Sequence, residues 1–225
     1  MVSRRAGGSI PPEERAAEAT AWRTDPVHAF PLSVSLTVLL ATVVVSMIAI
    51  YSRTAIRRFA ECPYEIVRYG RWHQLITSGF IHADLGHLFM NMFTLYYFGR
   101  PIETALGSWR FLVLYFGSML AGSLLTLLAH YRDPAYRALG ASGAISGVVF
   151  SFVLFAPLAS VYVFLIPVGI PAFLFALGYV AISIIGMRRR LGRIGHEAHL
   201  GGAVGGVLLT LLLHPGVWRR FLSHF

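Results

Sequence analysis

Lysine is absent from this 225-residue sequence, cysteine occurs once, and charged residues make up only 13% of the chain. A single cysteine, Cys62, excludes an internal disulfide and a cysteine-pair metal or redox site. The net charge of +9 comes from arginine alone, and the arginines are scattered along the chain. Scattered arginines argue against nucleic acid as a partner and favour contact with anionic lipid head groups.

Long uncharged stretches accompany a hydrophobic content of 56%, which is not typical of a soluble domain. No charged residue occurs between Arg137 and Arg188. A helix needs about 20 apolar residues to cross a bilayer, so this stretch alone is long enough for two spans. Pro157, Pro167 and Pro171 mark the break between them. The sequence therefore predicts a multi-pass integral membrane protein.

The distribution of apolar residues predicts an all-α fold with six membrane-spanning helices. The predicted spans are residues 31–51, 85–101, 111–129, 141–157, 169–187 and 198–217. Residues 1–28 are predicted to be a polar amino-terminal tail, 29–218 the membrane domain and 219–225 a short carboxyl-terminal tail. The tail lacks the apolar core of a secretory signal, so the first span is expected to remain as an anchor.

Three clusters of polar residues interrupt the predicted spans, where polar side chains are costly and therefore functional candidates. The first contains His82, His87 and Asn91, the second is GASGAISG around Ser142, and the third is GHEAHLGG around His199. Each cluster lies at the amino-terminal end of an even-numbered span. Because successive spans alternate in direction, all three clusters are expected on the same side of the membrane.

Glycines four residues apart follow both Ser142 and His199. This small-residue spacing lets helix backbones pack closely in lipid, and it would bring the Ser142 hydroxyl within reach of His199. An imidazole is the usual base for a serine nucleophile. Gly140 and Gly143 would leave backbone N–H groups at the start of the Ser142 helix open to an oxyanion.

The second span carries His87 and Asn91 one helical turn apart, so both are expected to donate hydrogen bonds into the same pocket. His82 is expected nearer the surface. Taken singly, each feature has a structural explanation: a membrane serine often bonds to its own helix, and glycine pairs often serve only packing. The combination on one side of the membrane favours catalysis.

These motifs resemble those of the rhomboid family of intramembrane serine proteases. The resemblance rests on the glycine-x-serine-glycine motif at Gly140–Gly143, on AHLGG at Ala198–Gly202, and on the spacing of the histidines and asparagine in the first cluster. Weaker matches are Trp72 with the nearby LITSGFIH, and IETALGSWRF at Ile102–Phe111. The resemblance extends over residues 30–215.

The resemblance implies that Ser142 is the nucleophile and His199 the general base of a dyad without a third acid. It implies an oxyanion hole formed by His87, Asn91 and the Ser142 backbone N–H, and a bracing role for Glu103. Family members use no cofactor and no metal. Their substrates are transmembrane protein segments, which they cut near a helix end.

For the location of the chain, the resemblance implies a bacterial inner membrane, a cytoplasmic amino terminus and a membrane-embedded loop at residues 52–84. The arginine distribution leans weakly towards the opposite orientation. The sequence departs from the family at Ser146, where an aromatic residue often stacks on the base, and at His73 and Gln74, where an arginine often follows the loop tryptophan. Ser146 is therefore a rival nucleophile.

Other functions remain open at this point. His196, Glu197 and His199 suggest an intramembrane metalloprotease, but HEAH lacks the spacing of the H-E-x-x-H zinc motif. A catalytically inactive rhomboid-like protein that binds transmembrane clients is the principal alternative, although such relatives are expected to lack the serine or the histidine. A transporter would need polar groups along the full depth of several spans. The sequence leaves the oligomeric state and the physiological substrate undetermined.

Overall fold

The computed structural model describes residues 33–162, 168–189 and 195–225, so the predicted tail at 1–28 lies outside the described residues. The described part of the chain is mostly helical. Its helices are α1 (Val34–Ile50), α2 (Arg53–Phe59), α3 (Pro63–Tyr69), α4 (Gln74–Thr77), α5 (Leu85–Leu106), α6 (Ser108–His130), α7 (Ser142–Phe155), α8 (Ala172–Arg189), α9 (His196–Leu213) and α10 (Val217–Leu222). A 3-10 turn, Ser78–Phe80, follows α4, and two short strands, β1 (Ser160–Tyr162) and β2 (Gly169–Pro171), separate α7 from α8.

Three of these helices, α6, α8 and α9, are long and apolar enough to cross a membrane. Two more, α1 and α7, are apolar but shorter. The 22-residue helix α5 is long enough but contains polar residues and Pro101. These helices confirm the prediction of a mostly helical protein with membrane-spanning segments.

The fourth and fifth predicted spans are separated by two short paired strands, a detail that the prediction of an all-α fold did not include. Helix α7 ends at Phe155, and β1 pairs antiparallel with β2, with Ser160 opposite Pro171. Short apolar segments do not reveal by periodicity alone whether they are helix or strand. Pro167 lies outside the described residues.

Helix α7 is the centre of the packing, with twelve of its 14 residues buried. Glycines bring α9 against it: a Cβ atom placed on Gly202 would collide with the backbone of Gly143, and one on Gly206 would collide with the backbone of Gly147. The close helix approach that the glycine spacing predicts is therefore confirmed.

Helix α6 joins this arrangement through the same kind of contact. A Cβ atom on Gly122 of α6 would lie 2.6 Å from the backbone oxygen of Ala198 in α9. One on Gly201 would lie 2.7 Å from the backbone oxygen of Ala121. Real Cβ atoms are not found at such distances, so these three helices touch backbone to backbone.

Glu103 of α5 braces the start of α1, as the resemblance implies. Its carboxylate accepts hydrogen bonds from the backbone N–H groups of Val34 at 2.8 Å and Ser35 at 3.0 Å. The Ser108 hydroxyl at the start of α6 donates to it as well, at 2.9 Å. The carboxylate thus satisfies N–H groups that a helix start leaves unpaired and joins α1, α5 and α6.

The segment between α1 and α5 is held by Gln74, one of the positions where the sequence departs from the family. The buried side-chain amide accepts from the Cys62 backbone N–H at 3.0 Å and donates to the Arg58 carbonyl at 3.3 Å. Glu61 and Ala138 exchange two backbone hydrogen bonds, each of 2.9 Å. These bonds attach the segment to the connection between α6 and α7, directly before Gly140.

The glycine contacts predict a selective effect of adding a methyl group. We expect Gly206→Ala to lower the free energy of unfolding by about 1–3 kcal/mol, because the backbone of Gly147 cannot move aside as a side chain does. Thermal unfolding in detergent micelles measures this loss.

Gly178→Ala is the matched control, because a Cβ atom on Gly178 of α8 meets nothing within 4 Å. We expect no loss there, and a gain of up to about 1 kcal/mol from the higher helix propensity of alanine. Equal effects of the two substitutions would show that the α7–α9 contact does not limit stability.

Candidate active site

The predicted nucleophile lies at the first residue of α7, directly after a glycine that has an unusual backbone conformation. Gly140 has φ = +114°, a region that side-chain-bearing residues rarely adopt. A Cβ atom there would lie 2.6 Å from Cε1 of His87. The His87 ring of α5 therefore rests on the Gly140 backbone, two residues before Ser142.

Backbone N–H groups of the first turn of α7 lie beside this histidine. The first hydrogen bond of the helix runs from the Ile145 N–H to the Ala141 carbonyl, at 3.0 Å. The N–H groups of Ser142, Gly143 and Ala144 precede it and so belong to the helix start, which favours negative charge. The arrangement offers an anion several N–H donors next to an imidazole.

His199 lies in the first turn of α9, against the start of α7. A Cβ atom on Gly143 would be 3.3 Å from the Ala198 carbonyl oxygen, so the residues that flank Ser142 and His199 are in van der Waals contact. Both side chains are half-buried. No hydrogen bond joins the Ser142 hydroxyl to His199 in the described part of the chain. Catalytic hydrogen bonds are often long before substrate binds, so this geometry does not remove the pair from consideration.

Tyr179 of α8 stacks on His199, a contact that sequence reasoning missed. The two ring centroids are 5.8 Å apart with an angle of 28° between the ring planes. The Tyr179 hydroxyl lies 2.5 Å from the Ser146 hydroxyl, which donates at 2.7 Å to the carbonyl of Ser142. In the sequence Tyr179 is one of several aromatic residues in an apolar span, so its spacing does not single it out.

His82 lies before α5, outside the predicted spans, and its side chain is fully buried within the protein. Its Nε2 accepts from the Ala141 N–H at 3.4 Å, and its Nδ1 lies 2.8 Å from the Ser46 hydroxyl. Ser46 in turn donates to the Phe80 carbonyl at 2.8 Å, so His82 must donate from Nδ1. Neutral His82 therefore links α1 to the residue that precedes Ser142.

The pKa of His82 is lowered to about 3, mainly by burial and in addition by the nearby His87. Asp84 acts in the opposite direction but does not compensate. The ring centroids of His82 and His87 are 4.9 Å apart, in an edge-to-face arrangement. His82 thus packs against the His87 ring, which in turn contacts the Gly140 backbone.

Asn91 is buried one turn below His87 on α5. Its side-chain amide donates to the His87 carbonyl of its own helix, at 3.0 Å. An asparagine amide has two N–H groups, so this bond uses only part of its hydrogen-bonding capacity. The place of Asn91 in an oxyanion hole stays a prediction.

His196 and Glu197 face other helices. A Cβ atom on Gly186 of α8 would collide with the His196 ring, and a Glu197 carboxylate oxygen lies 3.3 Å from Nε2 of His130 in α6. The rings of His196 and His199 are 6.3 Å apart and nearly perpendicular. These positions do not converge on a common point in the way that a zinc site requires.

Comparison with known proteins identifies the family. The model of the Rhomboid domain matches residues 69–216, a range that includes α5 to α9 and both members of the candidate pair. This match spans more than half of the chain, and the chain belongs to the rhomboid family.

Three relatives illustrate the range of similarity. RHOMBOID-like protein 12, mitochondrial, of Arabidopsis thaliana is 34% identical over 166 residues, which are 67% of this chain and 49% of the relative. Rhomboid protein 1, mitochondrial, of Saccharomyces cerevisiae is 40% identical over 151 residues, 65% and 43% of the two chains. Rhomboid protease GluP of Bacillus subtilis is 28% identical over 155 residues, 69% and 29%.

The chain thus matches about half, or less, of the length of these relatives. Two of the three are mitochondrial and one is bacterial. A multi-pass membrane protein is supported, but the predicted bacterial inner membrane is not, because mitochondrial rhomboids are among the similar proteins.

The lowered pKa of His82 predicts a pH dependence of stability. Above the ordinary histidine pKa of about 6.5 the ring is neutral in both states, and its buried hydrogen bonds contribute fully. Between pH 6.5 and about pH 3 the His82 ring is protonated in the unfolded chain but not in the folded protein. The free energy of unfolding therefore decreases as the pH is lowered.

We therefore expect the stability difference between wild type and His82→Gln to be largest above pH 6.5. The difference should narrow at lower pH by up to about 1.4 kcal/mol per pH unit. Unfolding of both proteins in the same micelles at pH 7.5, 6 and 5 measures it. A difference that does not change with pH would contradict a neutral, buried His82.

Proposed function

We propose that this chain is an intramembrane serine endopeptidase in which Ser142 is the nucleophile and His199 the general base. The Ser142 Oγ attacks the carbonyl carbon of the scissile peptide bond while His199 takes its proton. His199 then gives this proton to the leaving amine. Water, activated by the same imidazole, hydrolyses the acyl-enzyme and restores Ser142.

The observation that carries the proposal is the contact between the starts of α7 and α9. Ala198 and Gly202 of α9 touch Gly143 of α7, so the residues next to Ser142 and on either side of His199 are in contact. Only glycine permits this approach, because a Cβ atom on Gly202 would overlap the Gly143 backbone. This backbone contact supports a Ser142–His199 hydrogen bond in the reacting enzyme.

The surroundings of Ser142 supply what a tetrahedral intermediate needs. We assign its oxyanion to the N–H groups of Ser142 and Gly143 at the start of α7, with the His87 ring as a further donor. Gly140 makes room for that ring, and the second N–H of Asn91 completes the set. Such donors, fixed before the reaction, typically contribute several kcal/mol to transition-state stabilisation.

Ser146 is a poorer nucleophile than Ser142. Its side chain is buried, and its proton is already donated to the Ser142 carbonyl. A hydroxyl that is bonded on both sides has no free path to a base.

The helices suggest six membrane crossings within the domain at residues 29–218: α1, α5, α6, α7, α8 and α9. Residues 52–84, which contain α2 to α4, form the loop embedded at the membrane surface on the side of Ser142. The substrates are transmembrane segments of other proteins, cut near a helix end, and the surrounding partners are membrane lipids. No cofactor is required, so chelators leave activity unchanged.

A fluorophosphonate probe tests the nucleophile directly. The probe phosphorus forms a bond to an activated serine Oγ, and fluoride leaves. We expect labelling of detergent-purified wild type, loss of labelling in Ser142→Ala, and at least a hundredfold slower labelling in His199→Ala, because a general base typically contributes about 10²–10⁴-fold. Labelling should persist in Ser146→Ala.

Thermal unfolding of each variant provides the control, since a loss of labelling counts only in a folded protein. Loss of labelling only in Ser146→Ala would move the nucleophile by one turn. A folded wild type that is never labelled and cuts no transmembrane segment would instead support an inactive rhomboid-like protein that binds transmembrane clients.

A further inference from the structure

Tyr179, on a third helix, contacts His199 directly and is linked to Ser142 through Ser146. Its ring stacks on His199, and its hydroxyl reaches Ser146 one turn below Ser142. Phe150 of α7 also contacts the ring edge to face, with centroids 5.6 Å apart. The orientation of the tyrosine is therefore determined by residues of α7 as well as by its own helix.

The direction of the hydrogen bonds follows from the protons available. Ser146 donates its single proton to the Ser142 carbonyl, so the bond with Tyr179 must use the tyrosine proton. The chain of donors thus runs from the Tyr179 O–H to Ser146 and from Ser146 to the residue that carries the nucleophile. Bonds in such a chain strengthen one another in a medium of low polarity.

We propose that Tyr179 is a positioning residue of the proposed protease, which fixes the imidazole of His199 by stacking and is itself fixed by Ser146. This inference rests on the proposed roles of Ser142 and His199. The base needs one ring orientation to take the proton from Ser142, and a face-on neighbour removes the freedom to rotate about χ2. The Ser146 bond keeps that neighbour in place.

Helix α8 has few other means of holding this position. Only four of its 18 residues are buried, and in the described ranges no other side chain of α8 forms a hydrogen bond. An open apolar groove of about 170 Å³, bordered by Phe150, Val180 and Ala203, lies where α7, α8 and α9 meet. Because α8 contributes no other side-chain hydrogen bond in these ranges, the Tyr179–Ser146 bond is the polar contact that fixes where the stacked ring lies.

Substitutions at Tyr179 and Ser146 separate the contribution of the tyrosine ring from that of the Tyr179–Ser146 hydrogen bond. Tyr179→Phe keeps the ring and removes the bond, whereas Ser146→Ala removes the same bond from the other side. We expect each to slow fluorophosphonate labelling of Ser142 by roughly 3- to 10-fold, the range of one hydrogen bond. The double variant should be no slower than Ser146→Ala alone, because Tyr179→Phe then removes a hydroxyl whose partner is already absent.

Tyr179→Leu removes the ring and should slow labelling by roughly 10- to 100-fold, as misplacement of a catalytic group does. For a cleaved transmembrane substrate, the loss should appear in kcat with KM unchanged. Leu177→Ala on the exposed side of α8 is the matched control and should stay within twofold of wild type. A merely structural role of Tyr179 would lower the unfolding temperature without this selective loss in kcat.

The outcomes distinguish this inference from the proposed function. Normal labelling in Tyr179→Leu, or a double variant that shows the product of the two single effects, overturns the role of Tyr179 while leaving the dyad intact. Absence of labelling in the wild type overturns both. If Tyr179→Leu fails to fold, Tyr179→Phe and Ser146→Ala decide, and wild-type rates in both contradict the inference.

Discussion

Direct contact between the backbones of α7 and α9 is the constraint on which the rest of the structure depends. Gly143 and Gly147 of one helix lie against Gly202 and Gly206 of the other, and no side chain fits between them. Lipid provides little hydrophobic drive for helix association, so close van der Waals contact must supply it. The same contact brings the first turns of both helices together, and with them Ser142 and His199.

Around this contact, buried hydrogen bonds set the positions of the outer elements. Glu103 ties the start of α1 to α5 and α6, and His82 ties the last turns of α1 to the backbone before Ser142. Buried polar groups are costly unless satisfied, so each of these side chains strongly favours one arrangement of its neighbours. These hydrogen bonds also fix the proposed oxyanion site, because His82 packs against His87 and His87 contacts the Gly140 backbone.

The proposed reaction needs a mobile substrate helix to meet a rigid set of catalytic groups. Helices α6, α7 and α9 are joined backbone to backbone, whereas α8 buries only four residues. Tyr179 connects these two kinds of element, since it belongs to the loosely packed helix but touches the base. The position of α8 therefore bears on catalysis even though none of its residues is assigned a chemical step.

By itself, the sequence determined the class of protein, the ends of the helices at which chemistry is expected, and the glycines that permit close approach, because these depend on local composition and spacing. The two paired strands between α7 and α8 were missed, since a short apolar run does not distinguish helix from strand. Only the tertiary structure decided that His82 is buried and that Tyr179 stacks on His199. Both depend on residues that are far apart in the chain, and a local sequence pattern does not predict which side chains of different helices come into contact.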